Sequence, residues 1–153
     1  MAITRLGGAN AITGTIPTSV APGQGKVLQV VSDNTTSAFS TSSQSFVTTG
    51  QSASITPSST SSKILILFDV RVATLAANTG LTFEIRRGGT AVATNSMYTA
   101  TVSGNLTTMG NTSVLDTPNT TSATTYEVFL KETALAGTVN FSERRLHLME
   151  IAG

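Results

Sequence analysis

The sequence predicts an all-β protein built as an antiparallel β-sandwich. Short segments rich in β-branched residues recur along the chain, separated by Ser, Thr, Asn and Gly connections. No capping box is followed by a 3.6-residue apolar stripe, so helical signals are nearly absent. Roughly eight to ten such strands in one small domain indicate a jelly roll (TNF-like). We expect this domain at residues 26–153, preceded by an extended amino-terminal arm at residues 1–25.

The arm has neither a helical nor a strand period, and Pro17 and Pro22 interrupt any regular structure. It is either a disordered tail or an extended segment that orders only against a neighbouring subunit. A purely solvated tail has no need of aliphatic side chains, which favours the second alternative. The residues expected to dock the arm on a partner are Ile3, Leu6, Ile12 and Ile16.

The strand signals follow the arm in order. KVLQVVSD is a short run rich in β-branched residues, and QSFVTTG and SASITP are two short alternating pieces. KILILFDVRVATL is the strongest strand. LTFEIRR and TAVATNSMYTA flank Gly88-Gly89, which predicts a hairpin because glycine accepts the positive φ of a tight turn. TYEVFLKE alternates, and TVNFSERRLHLMEIAG predicts two closing strands.

Two of the predicted strands are apolar on both faces. In the strand that begins at Lys63, Leu65 and Leu67 point opposite to Ile64, Ile66 and Phe68. The last strand repeats this pattern, with leucines on one face and further apolar side chains on the other. The outer face of a small sandwich normally meets water, so a second apolar face indicates a cover. We predict a homo-oligomer whose subunit contact uses Leu65, Leu67, His147, Met149 and Ile151.

Composition excludes several classes of function. Charged residues make up 11% of the chain and the net charge is +1 without a basic cluster, so we expect no nucleic-acid partner. The aromatic residues, expected mostly at inward strand positions, offer no stacking platform. About three in ten residues are Ser or Thr, and these hydroxyls replace charges as the solvating groups. Cysteine is absent, no apolar stretch reaches membrane-helix length, and the start has no apolar signal core. We therefore expect no membrane association, and the redox compartment stays undetermined.

The sequence predicts no catalytic, cofactor-binding or metal-binding residues. His147 is the single histidine and sits between two leucines of a predicted strand, without a Gly-x-Ser-x-Gly elbow elsewhere. The carboxylates form neither a calcium loop nor a local pair. Asp69 and Arg71 share a strand face and are expected to form an ion pair, while Glu143, Arg144 and Arg145 are expected in a solvated turn.

Four stretches carry a resemblance to a known class of proteins: GKVLQVVSDNTTSAFSTSSQSF, SITPSSTSSKILILFDV, IRRGGTAV and LHLMEIAG. Together they resemble small jelly-roll virion proteins of tailed bacteriophages of the cyanophage and marine-phage type. The Ser/Thr bridge before the apolar strand is the most specific of these motifs. Gly88 stands where the hairpin of that class usually has Asp.

The resemblance implies a non-enzymatic virion protein, a homotrimer that decorates and stabilises the capsid as a cement protein. Its partners would be further copies of itself and the major capsid protein or another virion protein. The alternative within the same class is a tail fibre tip or receptor-binding module. An enzyme such as a depolymerase is a third hypothesis, and the single histidine and the scattered carboxylates argue against it.

Overall fold

The computed structural model describes residues 25–75, 79–98, 106–133 and 138–153. These residues contain nine strands and no helix, hence none that could cross a membrane. The strands are β1 (Val27–Thr35), β2 (Phe39–Thr41), β3 (Val47–Ile55), β4 (Lys63–Leu75), β5 (Gly80–Arg87), β6 (Thr90–Tyr98), β7 (Leu106–Asp116), β8 (Thr124–Glu132) and β9 (Val139–Ile151). The predicted arm lies almost entirely outside the described residues.

The strands form two antiparallel sheets. The first sheet has the order β1-β9-β4-β7, with short β2 also paired to β9, and the second has the order β3-β8-β5-β6. Four of the pairings are nested: β5 pairs with β6, β4 with β7, β3 with β8, and β1 with β9. A long hairpin rolled up in this way is a jelly roll, and the predicted fold class is confirmed.

The core lies between the sheets and consists of the inward side chains of both. β8 alternates between the two faces throughout, and β9 does so from Arg144 onwards, so every second residue there is buried. Phe68 of β4 meets Phe83 of β5 edge to face, with ring centroids 5.4 Å apart. The buried apolar side chains are Ala53, Ile55, Ile64, Ile66, Phe68, Val70, Val72, Leu81, Phe83, Ile85, Tyr126, Val128, Leu130, Val139, Phe141, Leu146 and Leu148.

Two pairs of predicted short strands are each one longer strand with a bulge. The segments on either side of Gly50 form β3, and the register against β8 shifts between Thr48 and Ser52. Gly50 has a φ of +74°, which glycine adopts without strain. The two closing strands are likewise the single strand β9, whose pairing with β4 shifts between Arg71 and Val72.

The predicted hairpin is present. β5 and β6 pair from Arg87 opposite Thr90, leaving Gly88 and Gly89 as the two-residue turn. Both glycines have positive φ, at 55° and 83°. This combination matches the twist of the flanking strands and explains the Gly-Gly sequence.

Candidate interaction surface

An apolar row crosses the outward face of the first sheet. Val30 of β1 lies opposite Met149 of β9, and Met149 lies opposite Leu65 of β4. Leu65 in turn lies opposite Leu115 of β7. Val30 is 53% exposed and Leu115 is 50% exposed, while the two residues between them are half-buried. We call these four residues the outer apolar row.

The five residues predicted for subunit contact all lie on this face. Leu65 is opposite Met149, Leu67 is opposite His147, and Ile151 is opposite Lys63. All five are half-buried. His147 has a partner within the chain, because Ser32 Oγ and His147 Nδ1 are 2.8 Å apart. The structure therefore brings the predicted residues together, and their role in subunit contact stays a prediction.

Two shallow grooves border the row. The first, of about 250 Å³, lies between β4 and β7 and is lined by Leu67, Asp69, Asn111, Thr112 and Ser113. The second, of about 430 Å³, lies at the end of the sheet where β1 begins, and its lining includes Gly25, Lys63, Leu115 and Ile151. Gly25 is the first residue that the structure describes, so the preceding segment is attached beside the row.

The two outward faces of the sandwich differ in chemistry. The large apolar residues that are well exposed in the described part all belong to β1 or β7 of the first sheet: Val27, Leu28, Val30, Met109 and Leu115. On β3 of the second sheet, the exposed positions are instead Thr48, Gly50, Ser52 and Ser54. Among the described residues, the well-exposed large apolar side chains thus lie on the first sheet.

A cation and two aromatic rings stack on the second sheet. The guanidinium of Arg86 lies 4.3 Å from the ring centroid of Phe129 and 5.0 Å from that of Phe46. Glu84 binds the same guanidinium at 2.7 Å, and the Lys131 ammonium lies 4.7 Å from the Phe46 ring. Phe46 and Phe129 are half-buried on the outside, so the expectation that the aromatics lie mostly inward fails for them. Each of the two rings thus already has a cation within 5.0 Å of its centroid.

A buried carboxylate organises the Ser/Thr connection between β3 and β4. Glu150 Oε1 accepts hydrogen bonds from the amide of Ser58 at 2.6 Å, from its hydroxyl at 2.6 Å, and from the hydroxyl of Ser62 at 2.7 Å. Gln29 Nε2 donates to Oε2 at 2.6 Å. Burial raises the pKa of Glu150, but the hydrogen bonds from Ser58, Gln29 and Ser62 outweigh it and lower the pKa to about 2. The Ser/Thr run therefore solvates a buried charge.

A second polar cluster lies at the same end of the sandwich. Asp116 and Glu150 are both opposite Ile64 of β4, on either side of it. Tyr126 donates a hydrogen bond to Asp116 Oδ2 at 2.7 Å, and Arg87 Nε lies 3.0 Å from the same oxygen. Burial raises the pKa of Tyr126, and the hydrogen bond and charge of Asp116 raise it further. This cluster joins β7 of the first sheet to β5 and β8 of the second.

The predicted solvated turn at residues 143–145 is wrong. These residues lie within β9, and Arg144 points inward with 4% of its surface exposed. Its guanidinium lies 5.6 Å from the ring centroid of Phe39. Burial lowers the pKa of Arg144, and the nearby carboxylate of Asp33 partly offsets this. Strict alternation from the inward Phe141 would place Arg144 on the outward face. The bulge in β9 shifts the alternation by one residue and turns Arg144 inward.

The geometry assembles no recognisable catalytic centre from the described residues. Within them, no three His, Asp or Glu side chains come close enough together to hold a metal ion. The expected ion pair of Asp69 with Arg71 is wrong, because Arg71 Nη1 donates to Ser142 Oγ at 3.2 Å instead. The ion pairs in this part of the chain include Arg86–Glu84, Arg87–Asp116 and Arg145–Glu143. The arm residues Ile3, Leu6, Ile12 and Ile16 lie outside the described residues.

Fold and surface together define a jelly-roll sandwich with one apolar outer face. Comparisons with protein-family models and with curated proteins give no match. Among solved structures, the chain is similar to chains of infectious bursal disease virus. For the Gx strain the TM-score is 0.56 at 17% identity, over 82% of this chain and 32% of the viral one. For the VP2 subviral particle the TM-score is 0.55 at 17% identity, over 85% and 34%.

These comparisons show a similar fold and do not show a shared function. At 17% identity, the likeness concerns the backbone arrangement, since a shared fold does not fix function. The chain spans about a third of the length of the viral chains that it matches. The β-sandwich fold is thus supported twice, by the pairing of the strands and by the backbone likeness to the viral chains.

Proposed function

We propose that this chain is a non-enzymatic structural protein of a virion. The outer apolar row carries the proposal, because an exposed apolar surface confined to one sheet marks a site of permanent contact. The fold likeness to VP2, which forms a subviral particle, supports a place in a viral shell. Scarce charge and many hydroxyls suit a subunit that associates with its neighbours.

Within that class, we propose a homotrimer that decorates and stabilises the capsid of a tailed bacteriophage. The first sheet, with Leu65, Leu67, Met149 and Ile151, faces the neighbouring copies, and the hydroxyl-rich second sheet faces solvent. Its further partner is the major capsid protein or another virion protein, and assembly takes place in the host cytoplasm. The tailed-phage assignment rests on the sequence resemblance.

The test is the location and copy number of the protein in purified particles. Quantitative mass spectrometry against the major capsid protein should give hundreds of copies per particle, and gold-labelled antibodies should decorate the head. A few dozen copies or fewer, with label on the tail, would assign the chain to the tail fibre tip instead. Absence from purified particles would overturn the virion assignment.

A further inference from the structure

We propose that the outer apolar row binds residues 1–24 of a neighbouring copy of this chain. On this proposal, the predicted docking arm covers a surface that contains Leu65 and Met149, two of the five residues predicted for subunit contact. The inference rests on the proposed homo-oligomer and names the part of the partner that covers the row. Of the four aliphatic residues expected to dock the arm (Ile3, Leu6, Ile12 and Ile16), Ile12 and Ile16 lie four residues apart and fill the contact, because four extended residues span about 14 Å.

The row has the dimensions of a site for an extended segment. Four strands spaced about 4.8 Å apart place Val30 and Leu115 about 14 Å from each other, a distance that four or five extended residues span. The neighbouring positions on β1 and β7, Ser32 and Ser113, are polar and exposed. On this side the row therefore ends in polar side chains at the two outer strands, while Leu67 and Ile151 widen the apolar surface on the two central strands.

The arm is attached next to this strip. Gly25 N donates a hydrogen bond to the carbonyl of Ala152 at 3.2 Å, which fixes the start of the described chain against the end of β9. Gly25 also lines the groove of about 430 Å³ with Leu115 and Ile151. In the proposed ring of copies, the row of each copy faces another subunit. Because the arm begins beside the row, it also begins beside that neighbouring subunit.

The spacing of the arm favours a neighbouring copy over its own sandwich. Ile16 is nine residues before Gly25, and Pro17 and Pro22 between them favour extended backbone. Nine extended residues reach about 30 Å, roughly twice the length of the row. Ile16 can thus lie beyond the row beside which its own arm begins, whereas Val20, five residues before Gly25, stays within reach of that row.

The arm and the row also match in charge. Arg5 is the only charged side chain in residues 1–24. All four residues of the row are uncharged, and covering them removes apolar surface from water without burying a charge. A docked arm would cover the apolar side chains that the fold leaves exposed on the first sheet.

Engineered cysteines test the contact, because the chain has none of its own. Full-length copies with Thr15→Cys are mixed with isotopically labelled copies with Ser113→Cys, then oxidised, digested and analysed by mass spectrometry. Both substitutions leave every proposed contact residue in place. The expected result is a disulfide between a labelled and an unlabelled copy. Ser54→Cys, at a serine that is also exposed but lies on the second sheet, is the matched control and should crosslink about tenfold less.

Several results would overturn the inference. Equal crosslinking to Ser54→Cys would show that the contact is unspecific. A Thr15→Cys/Ser113→Cys double variant that links only within one copy would assign the row to its own arm. Light scattering on the unmodified protein separates the two proposals. A stable oligomer without the crosslink refutes only the arm contact, whereas a monomer refutes the homo-oligomer as well.

Discussion

Glu150 and Ser58 lie 92 residues apart in sequence, and the carboxylate of Glu150 accepts both the amide and the hydroxyl hydrogen bond of Ser58. This double contact ties the connection between β3 and β4 to the last strand. It also makes the stability of the fold depend on the charge of one side chain.

Acid should destabilise the protein through Glu150. Its pKa is about 2 in the folded chain and about 4.5 in an unfolded one, so the unfolded state binds a proton first as the pH falls. The stabilisation from this group is complete above about pH 4.5 and is lost as the pH falls to about 2. Urea unfolding midpoints measured between pH 2 and pH 6 should fall over this window. The Glu150→Gln variant should show a flatter profile, and an equally steep one would remove Glu150 as the cause.

Ser62→Ala should destabilise the protein by about 2 kcal/mol, because a buried charged acceptor loses one donor. Ser61→Ala, at an exposed position in the same connection, should cost less than about 0.5 kcal/mol. Chemical denaturation of both variants gives the comparison. Equal costs would mean that the hydroxyl bond to Glu150 contributes nothing particular to stability.

The two turn glycines should respond differently to substitution. Gly88→Asn should be neutral or stabilise by about 0.5 kcal/mol, because asparagine accepts a φ near 55° and loses less entropy on folding. Gly89→Ala should destabilise by about 1 kcal/mol, because its φ of 83° is unfavourable for a residue with a Cβ. Neither Cβ would meet another atom within 4 Å, so the difference is a backbone effect. Thermal unfolding measures it, and two equal shifts would contradict this account.

Leu115→Asp should dissociate the oligomer without unfolding the subunit. Leu115 is half exposed, so its replacement disturbs a partner more than the core. Losing one such contact and adding a charge should weaken association at least about tenfold. Light scattering with gel filtration reports the mass, and circular dichroism reports the fold.

Ser52→Asp, exposed on the second sheet, is the matched control and should leave the mass unchanged. Leu67→Asp should give monomer or insoluble protein. An intact oligomer with Leu115→Asp would show that the first sheet does not face a subunit.

The alternation of side chains made the sandwich predictable from sequence. Period two is a local property, so the inward residues Ile64, Ile66 and Phe68 and the outward Leu65 and Leu67 follow from one strand alone. The Gly88-Gly89 turn is equally local. Local signals thus predicted the strands and the two-faced character of β4.

Bulges and hydrogen bonds between residues far apart in sequence could not be predicted from these local patterns. The bulge near Ser142 changes which residues of β9 point inward, so the burial of Arg144 was missed. Glu150 has the same parity as Leu146 and Leu148, which signals burial, but its donors are far away in sequence. No local pattern indicates which hydroxyls meet it.

The nested pairing has a consequence for the order in which the chain can fold. β9 lies between β1 and β4, so the first sheet stays incomplete until the end of β9 has been synthesised. Until then β4, the most apolar strand, has one open edge, and β1 has no neighbour in its sheet. Folding of such a high-contact-order topology is slow, and an open apolar edge invites aggregation. Expression yield should therefore depend on chaperones and on the rate of translation through the last strand.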